Sequence, residues 1–291
     1  MHAKIIDVHE ELSNAPVGRM HVRLGTLLAL MTFFDGYDTF NPAYVIHYVH
    51  GPWGLSLEQV GMLISSGLVG FLVGSAVHGA IADRFGRIPP LYFGMGLYSI
   101  ASLGCIFAPS IDALAGFRFL QALGGCAGSV LARAMVRDLF TGADAIRVFS
   151  RVLLVFGLGP ILAPFIGGYM LYFFDWHGIF VVLTAAGIAA VAVIFFRLDE
   201  TRDPRHVRPL RIGSVVVGFW RLLTHRLFIG YVLCGATMMA GTFAYIAGSP
   251  FVIEDLYGLS SQIFPWVFGV NALGFIIASQ WGMLSGRGVC A

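Results

Sequence analysis

The chain has 291 residues, of which 57% are hydrophobic and 12% charged, with a formal net charge of +2. A water-soluble domain carries roughly 25% charged residues, so half that share excludes an ordinary soluble globule and points to a lipid bilayer as the main solvent. The cysteines Cys105, Cys126, Cys234 and Cys290 show no C-x-x-C or ligand spacing, and they read as packing residues, neither disulfides nor metal ligands.

Residues 1–23 are polar and mixed in sign, with no apolar core followed by a small-residue cleavage site, so they read as a cytoplasmic N-terminal segment and not a signal peptide. Apolar runs of spanning length then recur at about 24–46, 58–81, 90–108, 113–135, 147–173, 178–197, 227–250 and 263–285. The expected fold is an all-α membrane helix bundle of about eight transmembrane helices. The odd-numbered connections (47–57, 109–112, 174–177 and 251–262) contain no Lys or Arg, and seventeen of the eighteen basic residues fall on the other side. The positive-inside rule makes that side cytoplasmic, placing a multi-pass protein in the inner (plasma) membrane with a cytoplasmic N-terminus. The arginines sit where topology needs them, so they give no reason to expect a nucleic-acid partner.

The first span contains FFDGYDTF (33–40), with two carboxylates in a run otherwise fit for lipid. Each Asp at a helix centre costs roughly 2.5–3.5 kcal/mol, and the nine large apolar residues of the run return only about 4 kcal/mol in total. Asp35 and Asp38 are three apart and share a helix face. Turned toward a water-filled central cavity, that face resolves the deficit. Apolar surroundings and a like-charged neighbour both favour a neutral carboxyl, so the couple is suited to hold one proton. A start of the span farther along the chain, with the pair near an interface, is the alternative.

The turn after the second span reads GAIADRFGRIPPL (79–91), spaced G-x-x-x-D-R-x-G-R. Gly79 allows close helix approach, Gly86 permits a bend, and Asp83, beside Arg84, can pair with Arg87 or cap a neighbouring helix. His78, just before it, reads as a packing or interface residue. Arg118 lies inside the fourth span, in LAGFRFLQALGG (114–125), either snorkelling to the near interface or buried against a carboxylate. The fifth span carries GLGPILAPFIGG (157–168), where Pro160 and Pro164 share a face amid Gly159, Gly167 and Gly168 and favour a kink.

The 79–91 turn resembles the signature of the major facilitator superfamily between spans 2 and 3, departing at Ile88, where a second basic residue is usual. Arg118 with Gln121 is similar to that superfamily's R-x-x-Q-G element, which implies a part in proton handling. The span-5 element looks like the antiporter motif of drug exporters, with Ala163-Pro164 in place of Gly-Pro. Residues 91–285 resemble the Bcr/CflA drug:proton antiporters, through RFLQALGGCAGSVLARAMVRDLF, DWHGIF and AYIAGSPFVIEDLYGLS. Residues 24–87, with D-G-Y-D and PWGLS, are more similar to aromatic-acid:proton symporters, in which these carboxylates are implicated in substrate and proton binding.

The resemblance implies two six-helix halves with substrate between them. Here 24–197 reads as one complete half, 198–226 as a cytoplasmic linker, 227–285 as two helices of the second half, and 286–291 as a tail. The expectation is a proton-coupled secondary transporter and no enzyme, most simply an exporter of small amphiphilic drugs impaired by truncation after span 8. The alternatives are a symporter importing aromatic acids, or a non-transporting membrane remnant. The expected partners are a small amphiphilic or aromatic substrate and the lipid bilayer. No cofactor is expected beyond the proton gradient.

Overall fold

The structure is a computed structural model of the chain, and it describes residues 36–38, 45, 46, 49, 51, 53–139, 148, 149, 162, 166, 167, 170, 173–198, 200, 212–259, 263, 266–271, 273, 274 and 277. The helices are α1 (Leu57–Phe85), α2 (Ile88–Ile106), α3 (Ile111–Leu139), α4 (His177–Arg197), α5 (Ile212–Thr224) and α6 (Arg226–Pro250), with a π-helical turn at Phe251–Leu256. Among the described residues there is no strand.

By length and composition α1, α3, α4 and α6 are able to cross a membrane. The 19 residues of α2 reach about 28 Å, the thickness of a hydrocarbon core, although Pro89, Pro90 and three glycines dilute its apolar character. The expected spans at 24–46, 147–173 and 263–285 lie largely outside the described residues.

Helix starts follow local sequence. Gly54, at φ 58°, turns the chain where a side chain would be strained. Ser56 and Gln59 then form a capping box: Ser56 Oγ accepts from the Gln59 amide, and Gln59 Oε1 accepts from the Ser56 amide at 2.9 Å. Ser110 Oγ likewise takes the Ala113 amide ahead of α3. At α2, Pro89 and Pro90 occupy the first turn, where a missing N–H costs nothing.

The bundle is organised around α3, which packs against α1 and α2, while α4 packs on α2. Contact is close because glycines face backbone. A Cβ at Gly70 would strike the Phe119 carbonyl, and one at Gly74 would lie 2.5 Å from both Leu123 O and Cys126 Sγ. Gly70 and Gly74 are one turn apart, the small-xxx-small spacing that lets membrane helices approach. Gly79, expected to serve that purpose, has open space where its Cβ would be. The approach is made one and two turns earlier, on the face of α1 that meets α3.

His78 is fully buried in this junction, with Nδ1 donating to Gly74 O at 2.8 Å, in keeping with a packing role. Cys105 and Cys126 are buried, but Cys234 is exposed. It does not pack as expected because it lies on a stretch of α6 that is exposed, although Ile246 and Ser249 farther along the helix are buried. At the end opposite the arginines, Trp53 and Trp176 meet edge to face at 5.7 Å and join the approach to α1 to the start of α4.

Candidate functional site

Arg118 sits on α3 one turn from Gln121, so both project to one side of the helix. On that side lies residue 38, from the short helical stretch described at 36–38. Arg118 Nη1 donates to Asp38 Oδ1 at 2.6 Å, and Nη2 donates to the Asp38 carbonyl oxygen at 3.3 Å. The two residues are 4% and 6% exposed, so this is a buried ion pair and not a snorkelling arginine.

A directed chain of hydrogen bonds backs the arginine. Nη1 also donates to Gln121 Oε1 at 2.6 Å, Gln121 Nε2 donates to Ser102 Oγ at 2.7 Å, and Ser102 donates to the Tyr98 carbonyl at 2.7 Å. The direction is forced. Ser102 spends its only proton on a backbone carbonyl, so it must accept from the amide, which turns the amide oxygen toward the guanidinium. Gln121 and Ser102 are both completely buried. Arg118 Nε finds no hydrogen-bond partner among the described residues. The arrangement holds one buried cation between a carboxylate and a neutral amide oxygen.

The second constellation lies at the arginine-rich end of the bundle. Gly86, at φ 91°, turns the chain from α1 into α2. Arg87 Nε and Nη2 then fork onto the two oxygens of Asp138 at 2.8 and 3.3 Å, and Nη1 reaches Asp83 Oδ1 at 3.3 Å. Partial burial pulls the Arg87 pKa down, but hydrogen bonds and charge from Asp138 and Asp83 outweigh it and leave it raised. Asp83 therefore pairs with Arg87, one of the two roles expected of it. The cap of α2 comes from Glu200, whose Oε1 and Oε2 accept the amides of Arg87 and Ile88 at 2.9 and 3.1 Å. Arg84 is exposed, with its guanidinium 5.1 Å from the Phe85 ring centroid. The ends of α1, α2 and α3 and the segment after α4 are thus tied together.

Of the other expected site residues, Asp35, Gly159, Pro160, Ala163, Pro164 and Gly168 lie outside the described residues. Gly167 is helical, with nothing close to where a Cβ would stand. Of the expected cavity-facing pair, the structure describes Asp38 alone, and its carboxylate is held by Arg118. The sequence pointed to Gln121 only through the element it shares with Arg118, and gave Ser102, Asp138 and Glu200 no role. Gln121 had a signal, its i, i+3 spacing from Arg118. The partners of Asp138 and Glu200 lie 51 and about 113 positions away, beyond any local pattern. Among the described residues, no three His, Cys, Asp or Glu side chains cluster in a way that could hold a metal.

Residues 26–289 match the Major Facilitator Superfamily. The chain is 35% identical over 268 residues to the uncharacterized MFS-type transporter YdgK of Bacillus subtilis, covering 91% of this chain and 66% of that protein. It is 32% identical to a bicyclomycin resistance protein homolog of Haemophilus influenzae, covering 88% of this chain and 63% of that one. The 4-hydroxybenzoate transporter PcaK of Acinetobacter baylyi is 29% identical over 67% of this chain and 43% of its own length. Among solved structures, a bacterial homolog of the human lysosomal transporter Spinster superposes with a TM-score of 0.71 at 19% identity, over 92% of this chain and 63% of that one. The chain spans about two-thirds or less of the length of these curated relatives.

Proposed function

The chain belongs to the Major Facilitator Superfamily, a family of multi-pass membrane transporters, and from that premise we propose that it exchanges protons for a small amphiphilic, drug-like molecule moved outward. The carrying observation is the buried Asp38–Arg118 pair at 2.6 Å. With Asp38 ionised, the pair is neutral as a whole and tolerable in an apolar interior. When a carboxylate oxygen of Asp38 takes up a proton, the guanidinium loses its counter-ion and keeps Gln121. The site then carries a net positive charge, a different electrostatic state that favours a different arrangement of the surrounding helices. Because the pair is closed to solvent here, proton entry and exit require other conformations, open to one side and then the other, as alternating access supplies. Export is supported by the similarity to a bicyclomycin resistance protein homolog over 88% of the chain.

Import of an aromatic acid together with a proton is the second reading. It is favoured by Asp35-Gly36-Tyr37-Asp38 and by the similarity to PcaK. The same assay separates the two. In proteoliposomes holding the chain and an internal pH dye, an inward proton gradient is imposed. Substrate-dependent proton movement opposite to a cationic amphiphile supports exchange, whereas movement together with 4-hydroxybenzoate supports symport. Flux of either substrate that is indifferent to the gradient, or unchanged in Asp38→Asn, would sink the coupling mechanism.

A further inference from the structure

We infer that α5 is a membrane-surface helix that lies along the arginine-rich face of the bilayer and docks its apolar side into an anionic lipid leaflet. Within 198–226, expected to be a cytoplasmic linker, the structure places the 13-residue helix Ile212–Thr224. At 1.5 Å per residue it is about 20 Å long, too short to cross a hydrocarbon core of about 30 Å. Its location is set by its neighbour. Only His225 separates it from α6, and His225 Nδ1 caps that helix by accepting the Phe228 amide at 3.3 Å. Since α6 is a spanning helix that starts at Arg226, the end of α5 must sit at the membrane boundary.

The helix is two-sided. On about 3.6 residues per turn, Phe219, Trp220, Leu222 and Leu223 fall within about 160° of arc, and Arg221 points the opposite way, flanked by Val217, Gly218 and Thr224. The four apolar side chains are 46–68% exposed, and α6 is the one described helix that α5 packs against to any extent. An apolar face with Trp and Phe, backed by an arginine, is the composition of helices that lie in the interface plane.

Charge selects the occupant. Between residues 204 and 226 the chain carries five arginines (Arg205, Arg208, Arg211, Arg221 and Arg226) and no Asp or Glu. A juxtamembrane segment of that sign is drawn to anionic headgroups and repelled by a second copy of itself. Lipid therefore fits the face better than another protomer.

The test uses the full chain in vesicles, with Cys234 and Cys290 replaced by alanine and the buried Cys105 and Cys126 retained. Spin labels are placed singly through Phe219→Cys, Leu223→Cys, Gly218→Cys and Thr224→Cys. In phosphatidylcholine vesicles containing phosphatidylglycerol, labels at 219 and 223 should collide several-fold more with oxygen than with a water-soluble nickel complex, and labels at 218 and 224 the reverse. Omitting phosphatidylglycerol, or introducing Arg221→Gln with Arg226→Gln, should shift the 219 and 223 labels toward water. Equal accessibility around the helix overturns the inference, as does immersion that ignores lipid charge. Dipolar broadening between singly labelled chains would assign the face to a second copy and overturn it equally.

Discussion

Arg118 Nη1 donates to Asp38 Oδ1 at 2.6 Å, which closes an ion pair between side chains 5% and 8% exposed and 80 positions apart in the chain. Removing one partner of a buried pair strands the other, at a cost of about 3–5 kcal/mol. Asp38→Asn and Arg118→Gln should each lower the thermal midpoint in detergent by a margin of that order. The double variant should recover much of the loss, because no uncompensated charge remains. Additive losses would show that the pair is not coupled.

Gln121 owes its orientation to Ser102, which accepts from its amide nitrogen at 2.7 Å. Ser102→Ala leaves that nitrogen buried without an acceptor, at about 1–3 kcal/mol, and frees the amide to turn a donor toward Arg118. Stability should fall accordingly, and the pH profile of gradient-driven flux should move as the guanidinium loosens. Ser102→Thr, which keeps the hydroxyl, should restore both readouts.

Glu200 stands where a side chain on Gly86 would go. A Cβ there would lie 2.5 Å from Glu200 Oε2, on backbone at φ 91°. Glu200→Ala should cost about 1 kcal/mol as a lost helix cap, seen as faster amide exchange at Arg87 and Ile88. Gly86→Ala should cost more, about 1–3 kcal/mol, because backbone strain adds to the displaced carboxylate. The double variant should fall short of the summed losses, since the collision with Glu200 is then counted once.

The fork from Arg87 to Asp138 depends on guanidinium geometry. Arg87→Lys keeps the charge but cannot reach both oxygens, so it should behave like Asp138→Ala. Each should cost about 0.5–1 kcal/mol in a denaturation series, the scale of partly exposed pairs. Arg87 has a raised pKa in the folded state. Its stabilisation is therefore complete below the unfolded value and is lost only as pH rises through the folded one. A stability series across mildly alkaline pH should show no loss that the Arg87→Lys variant lacks.

Gly74 and Gly79 offer a paired test of where α1 and α3 touch. Gly74→Ala puts a methyl group 2.5 Å from the Leu123 carbonyl oxygen, a collision costing about 1–3 kcal/mol. Adding Cys126→Ala should not rescue it, because the backbone oxygen remains. Gly79→Ala meets open space and should stay within about 0.5 kcal/mol of the parent in the same melting assay.

The sequence alone determined that the chain is a bundle of membrane helices, because a hydrocarbon solvent demands long apolar runs and all but one of the basic residues fall to one side of them. Runs are local, so their lengths could be counted without a fold. The same holds for the bend at Gly86 and the spacing of Arg118 and Gln121, which involve residues at most three apart. Which carboxylate met Arg118 was a different kind of question. So were the supply of the α2 cap by Glu200, and the choice of Gly70 and Gly74 over Gly79 as the contact with α3. Those answers join residues from separate helices, and a buried charge or an unsatisfied amide accepts whichever partner the packing brings within reach. Composition announced that partners were needed, and only tertiary structure chose them.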